Sequence, residues 1–248
     1  MILSLALGAL LAQGGYYSPQ EAQALFSQAN DAYSREDYAA AVAGYEKLLD
    51  HGYGGADVLY NVGTAYLAQG DVGHAVLSLE RARRLDGRRA DIEANLALAR
   101  SRQLDQVVGV QAEESFLPRL VAATSEPLVG WTFLAAWVAG FSFLVAFRFL
   151  SPGRRTWAAV VSAFCLCGAV PAGLLLGAHA YQRETVREAV VLVKTAQARE
   201  LPRDAGKVSF EVHAGLKVRI LEDAGEFVHI RLPNGLEGWT ERTAVAEI

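Results

Sequence analysis

Only two cysteines occur, Cys165 and Cys167, and both fall inside one long apolar stretch. No disulfide framework is therefore open to the polar parts of the chain. Two positions apart on a helix, they point about 200° away from each other and cannot pair locally. Small apolar packing is the reading they support. Histidine is sparse too: His51, His74, His179, His213 and His229 are scattered over different segments, with no acidic cluster beside them. There is no phosphate loop, no Gly-x-Ser-x-Gly elbow, no His-Glu-x-x-His and no paired cysteine ligands in an aqueous segment. These absences leave metal, phosphoryl-transfer and nucleophilic chemistry without residues, so neither an enzyme nor a cofactor is expected. A net charge of −4 gives no electrostatic support for nucleic-acid binding.

Charge is also scarce in two long runs, residues 127–150 and 157–181. The first has no charged residue from Leu128 to Phe147, and the second carries only His179. Each exceeds the roughly 20 residues that a helix needs to cross a bilayer core. Soluble helices keep a polar stripe, which these lack. The pair reads as two transmembrane helices joined by a short loop, residues 151–156. Arg148, Arg154 and Arg155 crowd that loop, whereas Arg119 with Glu126, and Arg183, Glu184, Arg187 and Glu188, mix both signs on the far sides. Lys/Arg enrichment marks cytoplasmic loops, so the loop is expected inside and both flanking domains outside. Residues 1–12 add an apolar run of signal-peptide length, although no Lys or Arg precedes it.

Before the hairpin the chain repeats itself at an offset of 34. Leu25 meets Leu59, Ala29 meets Gly63, Asp37 meets Asp71, Ala41 meets Ala75 and Val42 meets Val76. Small residues at four of these positions let paired helices approach closely, while Tyr45, Tyr66 and Leu79 fill the gaps. Glu36-Asp37 and Gly70-Asp71 supply a turn and a cap for each second helix. The period and the markers Leu59, Gly63, Tyr66, Gly70-Asp71, Ala75, Ala82 and Leu85 resemble the tetratricopeptide family. The repeat domain is expected over residues 22–103, as two helix pairs (22–55 and 56–89) and a capping helix (90–103), followed by a linker (104–126). The resemblance implies a concave peptide-binding groove lined by Phe26, Asn30, Tyr33, Tyr60, Asn61, Thr64, Leu67, Ala94 and Leu98. Phe26 and Asp91 stand where the carboxylate-gripping subclass carries basic residues, which argues against carboxylate capture. The arginines Arg81, Arg83, Arg84, Arg88 and Arg89 read as a solvated face, with an acidic partner or lipid headgroups as the second reading.

After the hairpin the period changes to two. Val190 and Leu192, Val218 and Ile220, and Val228, Ile230 and Leu232 alternate as half-buried strands do. Turn residues stand at Asp223-Ala224-Gly225-Glu226 and Pro233-Asn234-Gly235. About five strands over residues 188–248 imply a small barrel. Its sequence resembles bacterial SH3-like domains at Ala198-Arg199-Glu200-Leu201-Pro202, His213-Ala214-Gly215 and Gly238-Trp239. Trp239 can either complete the core or floor a groove, and with Phe227 it is the candidate ligand surface.

The expected fold is thus a multidomain membrane protein with an all-α tetratricopeptide array, a two-helix transmembrane hairpin and a small all-β SH3-like barrel. The full order of parts is similar to the E-type proteins of bacterial aerotolerance (Bat) operons. That resemblance implies an inner-membrane protein with both flanking domains periplasmic, acting as a scaffold beside von Willebrand A-domain membrane proteins. A peptidoglycan-binding envelope sensor is the alternative.

Overall fold

A computed structural model describes residues 17–105, 120–121, 123–203 and 206–248. The expected signal peptide and most of the expected linker lie outside the described residues. Two compact units result. One combines the region before the hairpin with the region after it; the other contains the hairpin.

Five helices build the first half of the larger unit: α1 (Pro19–Ser34), α2 (Tyr38–Asp50), α3 (Ala56–Gln69), α4 (Val72–Leu85) and α5 (Ala90–Ser101). Ser18 and Glu21 form a reciprocal capping box ahead of α1, with Pro19 in the first turn. The second helices start alike. Asp37 accepts from the Ala40 N–H and Asp71 from the His74 N–H, each at 3.1 Å. The residue before each cap is left-handed, Glu36 at φ 62° and Gly70 at φ 84°. The two caps stand one 34-residue period apart, so the repeat in the sequence is a repeat of turn geometry. Inside each pair a small residue admits its neighbour. A Cβ on Gly63 would lie 2.8 Å from Leu79 Cγ, and one on Gly44 would lie 2.9 Å from Ala29 Cβ.

The second half of this unit is one antiparallel sheet, of strands β1 (Arg187–Val191), β2 (Thr195–Arg199), β3 (Val208–His213), β4 (Lys217–Ala224), β5 (Phe227–Arg231), β6 (Glu237–Glu241) and β7 (Val245–Glu247). The spatial order is β3-β2-β6-β5-β4-β1-β7. Seven strands replace the five expected. In β2 the inward residues are only Ala196 and Ala198, too small to register as a hydrophobic alternation. β7 has three residues and owes its existence to pairing with β1. β1 stops at Val191, one residue short of the expected Leu192, because the Leu192 N–H turns to the Ala244 carbonyl. Backbone pairing leaves β3 and β7 as open ends, so the described strands form an open sheet and not a closed barrel. Val191, Val212, Val218, Ile220, Val228 and Ile230 fill its core. Gly225, at φ 63°, begins the two-residue turn between β4 and β5, a backbone shape that side chains disfavour.

Sheet and helices share a seam. Val190 is buried in one apolar cluster with Val76, Leu79, Ile92, Leu96 and Ala99, and Leu192, Ala246 and Ile248 pack against it. The α4 backbone comes so close that a Cβ on Gly73 would lie 2.7 Å from the Leu192 oxygen. Two residues of the arginine run, Arg81 and Arg84, reach the sheet. Arg81 donates to the Glu247 main-chain oxygen at 2.5 Å, and Arg84 to that of Ile248 at 2.6 Å. Glu188 pairs with Arg84 at 3.1 Å and with Lys217 at 2.9 Å. Asp105 accepts from the His213 N–H at 2.6 Å, and Gln103 donates to the Gly215 carbonyl at 2.5 Å.

The other unit contains α6 (Glu126–Phe149) and α7 (Pro152–Thr185), both long and apolar enough to cross a membrane. Only 11% of the most apolar stretch of each is buried, so neither is the core helix of a soluble fold. They meet through small residues: Ser162 Oγ donates to the Gly140 carbonyl at 2.8 Å, and Ala158 and Ala169 are buried. The expected loop over residues 151–156 shrinks, because Pro152 opens α7 and draws Arg154 and Arg155 into its first turn. Arg155 Nε then donates back to the Leu150 carbonyl at 2.9 Å.

Candidate protein-interaction site

The first helices α1, α3 and α5 lie side by side and are joined by side-chain hydrogen bonds. Asn61 Nδ2 donates to Asn30 Oδ1 at 3.2 Å, and Asn95 Nδ2 donates to Thr64 Oγ1 at 2.9 Å. Shifting the Asn30–Asn61 pair by one 34-residue period gives Thr64 and Asn95, so a single contact is used twice. Thr64 passes the hydrogen bond on to the Tyr60 carbonyl at 2.8 Å. Tyr45, reaching up from α2, donates to Asn30 Oδ1 at 2.6 Å. Asn30, Asn61, Thr64 and Asn95 are half-buried, and Tyr45 is buried. Their hydrogen bonds hold the helices together.

The predicted groove residues divide. Asn30, Asn61, Thr64 and Tyr60 come together on α1 and α3, and Phe26 and Tyr33 flank them half-buried on α1. Phe26 meets the Tyr45 ring edge-on, and Tyr33 meets Tyr38. Ala94 and Leu98 are exposed on α5, Leu98 at 45%. Leu67 departs from the expectation: at 4% exposure it is a core residue. Sequence reading passed over Asn95, although the 34-residue offset from Asn61 lands on it. Arg89, read from the sequence only as part of a basic run, lies 5.1 Å from the Tyr60 ring centre and pairs with Asp91 at 2.7 Å and Asp57 at 2.5 Å. Hydrogen bonds donated to Asp91 and Asp57 raise the Arg89 guanidinium further above its ordinary value, and Arg89 holds the Asp91 carboxyl below the usual range. Arg89 is thus shared between two carboxylates beside the Tyr60 ring.

On the sheet, Trp239 lies half-buried on the face opposite the core, stacked on His229 with ring centres 4.7 Å apart. Phe227 is 9% exposed and offers little surface. Gly238 faces inward, where a Cβ would lie 3.0 Å from that of Ala198.

A third cluster ties the repeats together. Tyr66 of α3 donates to Glu46 of α2 and stacks on His74 of α4 at 5.0 Å, while His74 Nδ1 lies 2.9 Å from Asp71. The Asp71 hydrogen bond raises the His74 imidazole against the opposing effect of burial, and the charges of Asp71 and Glu46 add to the rise. Burial pushes the Asp71 carboxyl up, but hydrogen bonds from His74 more than offset it and leave it lowered. Stability from His74 is therefore complete below its unfolded value, about 6.5, and lost as pH rises through its higher folded value. The melting temperature of the wild type should fall modestly over that rise, since both side chains are nearly two-fifths exposed, at 39% and 38%. His74→Asn should flatten the slope; an unchanged slope would reject His74 as its source.

The larger unit is thus an array of helix pairs with a small antiparallel sheet docked on it. A solved structure of the Sgt2 TPR domain from Aspergillus fumigatus is similar at 28% identity and a TM-score of 0.32, over 34% of this chain and 56% of that one. The chain therefore spans little more than half the length of that structure. No family model and no curated protein matches the chain.

Proposed function

We propose that this chain is a non-enzymatic, membrane-anchored scaffold of the bacterial cell envelope that gathers protein partners on the α1–α3–α5 face. The carrying observation is that an uncovered apolar hairpin is inserted into a single folded unit that bears such a face. Two crossings return the chain to the side it left, and a seam between its two flanks requires that return. Aromatic residues support the crossing: Trp131 and Tyr181 stand exposed near one end of the helices, Phe149 and Trp157 near the other. The separation of Trp131 from Phe149 along α6 is about 27 Å, close to a bilayer core.

Arg148, Arg154 and Arg155 favour a cytoplasmic turn, hence a periplasmic folded unit. A green fluorescent protein fused between Leu150 and Pro152 should fluoresce in cells; a dark fusion there, with active periplasmic phosphatase, would overturn the orientation. The order of parts, similar to the Bat E-type proteins, supports von Willebrand A-domain membrane proteins as partners and an SH3-like reading of the sheet. Affinity capture from native membranes should recover such a partner with the wild type and lose it with Tyr60→Glu/Leu98→Glu. The stacked Trp239–His229 pair favours the second reading, a wall-binding sensor. In that case capture would bring down peptidoglycan and depend on Trp239→Ala instead.

A further inference from the structure

We infer that the sheet is the terminal cap of the helical array, standing where the second helix of a third pair would pack, and that it thereby sets the α5 wall of the interaction face. α5 begins 34 residues after α3 and continues its register, and residues of the sheet pack on the cluster it shares with α4. Its inward residues Ile92, Leu96 and Ala99 are fully buried. They share their cluster with Val76 and Leu79 of α4 and with Val190, and Leu192, Ala246 and Ile248 pack against that cluster. An array end left bare would present apolar surface to water, which repeat proteins avoid with a polar-backed cap.

The polar contacts are those of a permanent joint. Glu80 of α4, 1% exposed, is held by Arg83 and Arg100 of the array and approached by Lys217 of the sheet at 3.9 Å. Lys217 also pairs with Glu188, which in turn meets Arg84. Gln103 and Asp105, just beyond α5, hold the turn at His213 and Gly215. One face of α5 thus meets the sheet, while Asn95 and Leu98 of the same helix belong to the interaction face. The position of that wall depends on the cap, and this part of the inference rests on the reading of the α1–α3–α5 face given above.

Hydrogen exchange of the full chain in detergent micelles tests the cap without any ligand, so its failure is separable from failure of the partner reading. Gly73→Leu drives a side chain into the Leu192 backbone and should speed exchange in α5 together with β1 and β7, by about tenfold or more. Lys217→Glu, a milder change that sets like charge against Glu80 and Glu188, should do the same to a smaller degree, with partial rescue by Glu188→Lys. Faster exchange confined to the strands, with α5 still protected in both variants, would overturn the inference.

Discussion

Replacing Arg83 and Arg100 together by methionine should cost the folded unit about 3–5 kcal/mol, more than any single change at their common partner. The reason is an asymmetry of burial. Glu80 is 1% exposed and takes one guanidinium on each carboxylate oxygen, Arg83 at 2.6 Å and Arg100 at 2.6 Å. Removing both cations strands a charge inside the protein, with Lys217 at 3.9 Å as a divided partner that also serves Glu188. The reverse change, Glu80→Gln, leaves cations that are 34%, 45% and 30% exposed and can turn back to water. It should cost only about 1–3 kcal/mol. Denaturant unfolding of the full chain in detergent, followed by helical circular dichroism, measures both. Equal losses would mean that Glu80 is better hydrated than its surroundings indicate.

The second large effect is expected at Tyr45. Its ring is 1% exposed between the first two helices, and its hydroxyl donates to Asn30, which also receives Asn61 from the next pair. Tyr45→Ala should lose about 3–5 kcal/mol through the lost burial and the cavity left behind. Tyr45→Phe keeps the ring and should lose only about 1 kcal/mol, because Asn30 retains its bond from Asn61. The pair of variants separates packing from hydrogen bonding in the same measurement. If Tyr45→Phe proved as damaging as Tyr45→Ala, the hydroxyl and not the ring would be holding the first repeat.

Acid should weaken the seam. Burial pushes the Glu188 carboxyl up, but Lys217 and Arg84 more than offset this and hold it below the usual range. Its contribution is therefore present above the ordinary carboxylate value and fades as pH falls through its lower, folded one.

The features legible from sequence were those that neighbouring residues decide. Asp37 and Asp71 cap helices wherever a helix follows them, so the turns and their 34-residue spacing could be read directly. The apolar hairpin was equally plain, since length and lack of charge are local properties. β2 and β7 were not legible, because small residues in one and brevity in the other carry no periodic signal; partner strands make them. Leu67 was assigned to a surface by analogy of position, yet α4 and α5 close over it.

The same division runs through the arginines. Sequence alone determined that Arg81, Arg83, Arg84, Arg88 and Arg89 crowd the end of the second repeat. Only the tertiary structure decided that Arg81 and Arg84 hold the backbone of β7 and its end, more than 160 positions away. Main-chain oxygens carry no identity in a sequence, and neither does the bare backbone at Gly73 that lets the sheet approach. Helices, caps and spans follow from local chemistry. The union of array and sheet into one body rests on contacts across the length of the hairpin, which form only when both halves have folded.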